Sequence, residues 1–248
     1  MKIKSSGEKI KTLRKSLNIS QKELSNGIIS IPMLSYIENN KVNLTSKIAF
    51  LLCKRINEIS KKNIAQFDEV FKSENVQAEN IMNTLIKNLK SYSTNDFIEI
   101  KFSIEKYLSI ENYIKFNSIV GSYLYNTSKD IDNSLIFLEP ILEDAINRKN
   151  NFLPLIIFQL QRVYNKSKQW YKSIQLFKNL NMNLIYEKEI KGYILFNFGL
   201  AFHKKNSYTK AITLYREALN LVNKTLAKES CLNNIGYCYI LDKEYFKA

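Results

Sequence analysis

The chain has 248 residues, 45% of them apolar, with a formal net charge of +14, which is enough apolar material for one or two folded domains and excludes a disordered tail. No run of 18 apolar residues is present, and MKIKSSGEKIKTLRK at the N-terminus has charge but no apolar segment or cleavage site behind it, so a cytoplasmic protein without a membrane span is expected. A single histidine, His203, excludes most His-based metal and catalytic clusters, and three cysteines, Cys53, Cys231 and Cys238, are expected to be reduced and buried.

The charge is concentrated at one end. Residues 1–65 hold 13 Lys or Arg against four Glu, a net +9, leaving +5 for the other 183 residues. A small, strongly basic module is the electrostatic footprint of binding to a phosphate backbone. A merely Lys-rich composition would spread its charge more evenly.

With 6 Gly and 3 Pro in the whole chain, nearly everything reads as helix. Over residues 7–60 the apolar positions recur in short blocks, from Ile10, Leu13 and Leu17 to Ile48, Leu51, Leu52 and Ile56, which predicts about five short helices. Ser20 is placed to cap a helix beginning at Gln21, with Glu23 completing a capping box. Asn26-Gly27 ends that helix after little more than a turn. Ser30 caps the next one, Pro32 is tolerated in its first turn, Leu34 and Ile37 face inward, and Asn40 suits a left-handed residue at its end. Two short helices joined by a tight turn, with a basic helix before them, form the arrangement that lays the second helix in a DNA major groove.

Residues 61–80 read as a connecting helix. From about residue 62 the blocks lengthen to 12–16 residues, with polar turns at 91–96, 126–132, 148–151, 165–169 and 204–207, predicting an array of αα-hairpins. Within it lies a repeat. Gly199, Phe202, Ala211, Tyr215 and Ala218 fall at offsets 0, +3, +12, +16 and +19, and Gly236, Tyr239 and Ala248 reproduce the first three. Gln161, Tyr164, Ser173 and Phe177 are a weaker version, and around Gly121, Leu124 and Leu138 the pattern is degenerate. These small and aromatic positions resemble tetratricopeptide repeats, with a generic helical solenoid as the alternative. The chain stops at Ala248 without a polar capping helix, so a longer array or a partner over its end is expected.

The first domain resembles the Xre/Cro-type helix-turn-helix in Leu13-Arg14, Ser20-Gln21, Glu23-Leu24, Leu34-Ser35, Ile37-Glu38 and Lys41. The shortened turn, with Leu24 and Glu38 only 14 steps apart and a Gly-Ile-x-Ser sequence between them, resembles peptide-pheromone regulators of the Rgg and PlcR type, which join such a domain to tetratricopeptide-like repeats. The resemblance implies an all-α fold in which a five-helix helix-turn-helix domain, residues 1–63, precedes a linker helix and a right-handed tetratricopeptide-like solenoid, residues 64–248. It further implies a homodimer, a structural ion pair between Arg14 and Glu38, and a DNA contact from Gln21.

The exposed positions of the expected recognition helix are Ile31, Pro32, Met33, Ser35 and Tyr36, which offer no bidentate base-reading pair. We therefore expect apolar contact with thymine methyls and readout of DNA shape, with phosphate contacts from Gln21, Lys22, Ser30, Asn39 and Lys41. The alternative is that Ile31 and Met33 pack locally. In the repeats, the sixth position of each first helix faces a groove and is filled by Gln159, Asn197 and Asn234, whose amides can grip a peptide backbone of any sequence. Tyr193, Leu200, Lys204, Asn233 and Tyr237 are expected in the same groove, with Lys204 able to meet a carboxylate. Asn at this position can equally hydrogen-bond a neighbouring helix.

The function expected is that of a sequence-specific DNA-binding regulator whose repeats bind a short signalling peptide, which would alter the array and the spacing of two DNA-binding heads. A phage or plasmid regulator of the same architecture, and a protein-interaction scaffold that no longer reads DNA, remain as alternatives. No phosphate loop, nucleophile elbow or acid/base constellation points to an enzyme, and no cofactor or metal is expected. His203, beside Lys204 at a helix end, is expected to be solvated.

Overall fold

Hydroxyl side chains punctuate the first part of the chain. Ser5, Ser20, Ser30, Thr45 and Ser73 each accept the backbone N–H of the residue three places on, and each starts a helix there: α1 (Ser6–Ser16), α2 (Gln21–Ser25), α3 (Ile31–Glu38), α4 (Ser46–Ser60) and α6 (Glu74–Lys87). Glu8 and Glu23 complete reciprocal capping boxes at α1 and α2. Between α4 and α6 lies the short α5 (Phe67–Phe71). The computed structural model describes residues 3–242, and no strand occurs among them.

The chain divides into two compact units, one of residues up to Asn88 plus Asn95–Ser109, the other of Leu89–Thr94 and the residues from Ile110 on. The first unit also holds most of α7 (Thr94–Ile104). Its helix-turn-helix core gathers Ile10, Leu24, Leu34, Ile37, Leu52 and Ile56, all buried, and continues to Ala65 and Val70. Four helices, not five, lie within residues 6–60, and the fifth, α5, closes the same core.

The stretch 61–80, expected as one connecting helix, is broken. Lys61 takes a left-handed conformation at the end of α4, and Lys72 and Ser73 interrupt the chain between α5 and α6. The break is held from a distance. Lys9 Nζ donates to the carbonyls of Glu69, Val70 and Lys72 at 3.0, 3.4 and 2.8 Å, satisfying the C-terminal carbonyls of α5 with a cation, and burial there lowers the lysine's pKa. Gln77 Nε2 donates to the carbonyls of Lys4 (2.9 Å) and Lys72 (3.0 Å).

The second unit is a succession of antiparallel hairpins. Its helices are α8 (Ile110–Tyr123), continued by a π-helical turn (Leu124–Ser128), α9 (Ile131–Leu138), α10 (Leu142–Asn147), α11 (Leu153–Lys166), α12 (Trp170–Asn179), α13 (Lys188–Lys204), α14 (Tyr208–Leu221) and α15 (Thr225–Leu241). Pro140 lies between α9 and α10, where it cannot continue a helix, and this splits what would be the second helix of a repeat. The degenerate stretch nonetheless packs closely, because Gly121 lets Leu138 lie against the α8 backbone.

The repeat positions read from the sequence sit where α13 and α14 meet. Gly199, Ala211, Tyr215 and Ala218 are buried, and Phe202 packs edge-on to Phe177 of α12 with ring centroids 5.6 Å apart. A β-carbon on Gly199 would lie 2.8 Å from Cε1 of Tyr215, so the glycine is required by the close approach of the two helices. Gly199→Val should therefore lower stability by about 1–3 kcal/mol through overpacking, measured as a shift of the urea midpoint with an unchanged slope. An unchanged midpoint would show that Tyr215 moves aside freely. In the last repeat Gly236 and Tyr239 lie on α15, Tyr239 is buried, and its hydroxyl accepts from Arg216 Nη2 at 2.6 Å. Ala248 falls outside the described residues.

His203 is not solvated. It is 6% exposed, packed beside the rings of Tyr208 (6.0 Å) and Tyr237 (5.6 Å), because α14 and α15 cover the end of α13. Burial, with the charge of Lys204 added, lowers its pKa and favours the neutral ring. The three cysteines are free and buried, and burial raises the thiols of Cys53 and Cys238 to about 11. No helix among the described residues is long and apolar enough to cross a membrane.

Candidate functional site

The outer face of α3 follows from its inner one. Leu34, Ile37 and Glu38 are turned into the core, so helical spacing sends Ile31, Pro32, Met33 and Tyr36 outward, and all four are exposed. Ser35 is half-buried beside them. Tyr36 is 48% exposed, and Lys41 Nζ stands 5.7 Å from its ring centroid. At the C-terminal end of α3, Asn39 donates to the carbonyl of Ser35 (2.8 Å) and accepts from Lys11 Nζ (2.7 Å). Asn40 adopts the expected left-handed conformation, with φ of 59°, and its side chain is hydrogen-bonded to Ser5 Oγ. Ser30 Oγ is used as the cap of α3.

What fixes this face is a buried polar knot. Arg14 of α1 donates from Nε to Glu38 Oε1 at 2.6 Å and from Nη2 to Oε2 at 2.8 Å, a bidentate pair, and from Nη1 to the carbonyl of Ile19 at 2.9 Å. Gln21 Nε2 donates to the same Glu38 Oε2 at 2.8 Å. Burial opposes the charge of Glu38, but the hydrogen bonds from Arg14 and Gln21 outweigh it and hold the carboxyl below its ordinary value of 4.5. The knot joins α1, α2 and α3 at one residue. It also commits the amide donor of Gln21, whereas Lys22, Ser30 and Lys41 are exposed.

In the second unit the expected groove residues fall on the first helices of successive hairpins. Tyr193, Asn197, Leu200 and Lys204 lie along one face of α13 at helical spacing; the first three are half-buried and Lys204 is exposed. Tyr193 donates to Glu189 Oε1 at 3.2 Å and its ring is 6.2 Å from that of Phe158 on α11. Asn165 Nδ2 donates to the carbonyl of Asn197 at 2.9 Å, tying α11 to α13 at that residue. On α15, Asn233 and Tyr237 are exposed, and Asn234 uses its Nδ2 on the carbonyl of Ser230 at 2.7 Å. Gln159 is buried, its Oε1 accepting from Arg162 Nη1 at 3.2 Å.

Sequence reasoning passed over Arg162, Phe158 and Tyr125. Their spacing on α11 and after α8 held a signal, since Phe158 and Arg162 are four apart on one helix face, but Tyr125 joins them only in three dimensions. The guanidinium carbon of Arg162 lies 4.7 Å from the Tyr125 ring centroid and 5.3 Å from that of Phe158.

Residues 10–61 match the helix-turn-helix family model. No curated protein sequence matches the chain. Among solved structures, the crystal structure of Bacillus thuringiensis PlcR in complex with the peptide PapR7 and DNA is similar at a TM-score of 0.45 and 16% sequence identity, covering 96% of this chain and 88% of that one.

Proposed function

We propose that the protein is a sequence-specific DNA-binding transcriptional regulator, acting as a cytoplasmic homodimer, with α3 as its recognition helix and the hairpin array as the receptor for a short signalling peptide. No catalytic role is proposed. The observation that carries the DNA reading is the outward face of α3, where Ile31, Met33 and Tyr36 are exposed on a short helix anchored by Arg14 and Glu38 and flanked by Lys22 and Lys41. Large apolar groups held outward on a rigid helix suit thymine methyls, and the flanking cations and hydroxyls suit phosphates. The family match over residues 10–61 supports the same reading.

The test is fluorescence anisotropy on the duplex upstream of the gene and on a scrambled duplex, across a salt series. We expect tight binding to the first and weak binding to the second, falling with salt by a slope of about −0.9 per phosphate contacted. Equal, weak binding to both would replace this reading with an interaction scaffold that no longer reads DNA.

The peptide reading rests on the line of Tyr193, Asn197, Leu200 and Lys204 along α13. Asn197→Ala should lower retention of a random heptapeptide library by the purified protein about tenfold, because an amide gripping a peptide backbone loses two hydrogen bonds together. Unchanged retention would move the site away from α13.

A further inference from the structure

Two cations crowd one aromatic ring in the hairpin array. Besides Arg162, Lys129 brings its Nζ to 5.8 Å from the Tyr125 ring centroid. Both are fastened by neutral acceptors: Arg162 Nη1 donates to Asn126 Oδ1 at 2.8 Å and to Gln159 Oε1 at 3.2 Å, and Lys129 Nζ donates to the carbonyl of Asn126 at 2.9 Å. Neither is in an ion pair with an acidic side chain among the described residues. Two other packed cations, Arg14 and Lys101, are paired with acids, Glu38 and Glu105.

Like charges held at one ring repel each other, and an anion bound beside them would offset that repulsion. The guanidinium is already oriented for it. One nitrogen is tied to two carbonyls and the plane is framed by Tyr125 and Phe158, so little freedom remains to be lost when Nε and Nη2 meet a carboxylate. The cluster is continuous with the candidate groove, because Gln159 accepts from Arg162 and Phe158 packs near Tyr193.

We propose that Arg162 and Lys129, framed by Tyr125 and Phe158, form a carboxylate-binding subsite at one end of the peptide groove. This rests on the peptide-receptor reading. Carboxylates reach such a site from two sources, the C-terminus of the peptide or an Asp or Glu side chain within it. The C-terminus is the better match, since amides that grip a backbone regardless of sequence leave the terminus as the fixed point of register.

The experiment offers the full chain three random heptapeptide libraries: free acids without Asp or Glu, C-terminal amides without Asp or Glu, and C-terminal amides containing them. Retention after rapid gel filtration is read by mass spectrometry. The wild type should retain the first about tenfold over the second. Arg162→Gln should remove most of that preference, and exposed Lys129→Ala should reduce it with the fold intact by circular dichroism. Asn197→Ala should weaken all three libraries without changing their ratios. Recovery of retention in the third library, lost again in Arg162→Gln, would support the subsite and assign it to acidic side chains. Equal retention of all three by the wild type, or an unaltered ratio in both cation variants, would overturn the subsite and leave the peptide reading standing. Retention of none would overturn both.

Discussion

Glu38→Ala is expected to lower the stability of the helix-turn-helix segment by about 3–5 kcal/mol, the cost of leaving one member of a buried pair without its partner. Its side chain is 1% exposed and accepts from both Arg14 and Gln21, so alanine strands the half-buried Arg14 guanidinium and the Gln21 amide at the meeting point of α1, α2 and α3. The loss would appear as a separate, lower transition in thermal unfolding, with DNA affinity falling on cognate and scrambled duplexes together. The pair also sets a pH dependence. Because the folded-state carboxyl titrates below its ordinary 4.5, the stabilisation is present above that pH and is lost as the pH falls through the lower folded-state value. A variant as stable as the wild type, or an unfolding profile flat below pH 4.5, would show that the pair contributes nothing net.

Tyr36→Ala is expected to separate specificity from affinity. The side chain is exposed and buries nothing in the core, and alanine is the best helix former, so the fold is kept. If the ring reads base edges, affinity for the cognate duplex falls by roughly 10- to 100-fold, matching about 1–3 kcal/mol for a base contact, while affinity for scrambled DNA barely changes. The companion change Lys41→Ala should instead weaken both duplexes and reduce the salt slope by about one. Equal losses on both duplexes for Tyr36→Ala would return the aromatic ring to a packing role.

The parts of this molecule that could be read from the sequence are those fixed by neighbours along the chain. Caps at Ser20 and Ser30, the break at Asn26-Gly27 and the turn at Asn40 are decided within a few residues, and each is found as expected. The repeat offsets around Gly199 were legible for a similar reason, since close helix packing demands a small residue at a set spacing. The break between α5 and α6 was not, because Lys9 and Gln77, the groups that stabilise it, lie some sixty residues before it and just after it. His203 next to Lys204 looks solvated in one dimension, and it is the folding back of α14 and α15 that covers it. Arg162 reads as an ordinary surface arginine until Tyr125 and Asn126 are brought to it from the end of α8.

The contacts between first helices also make a ruler. Arg162 joins the end of α8 to α11, Asn165 joins α11 to α13, and His203 meets Tyr237 between α13 and α15, so four helices stand side by side. Packed helices sit 8–10 Å apart, which makes three intervals about 24–30 Å in all. At about 3.3–3.6 Å per extended residue, a chain laid across all four, from Tyr237 on α15 to Tyr125 at the end of α8, is about seven to nine residues long. Shorter peptides would reach only one of those ends, and longer ones would overhang.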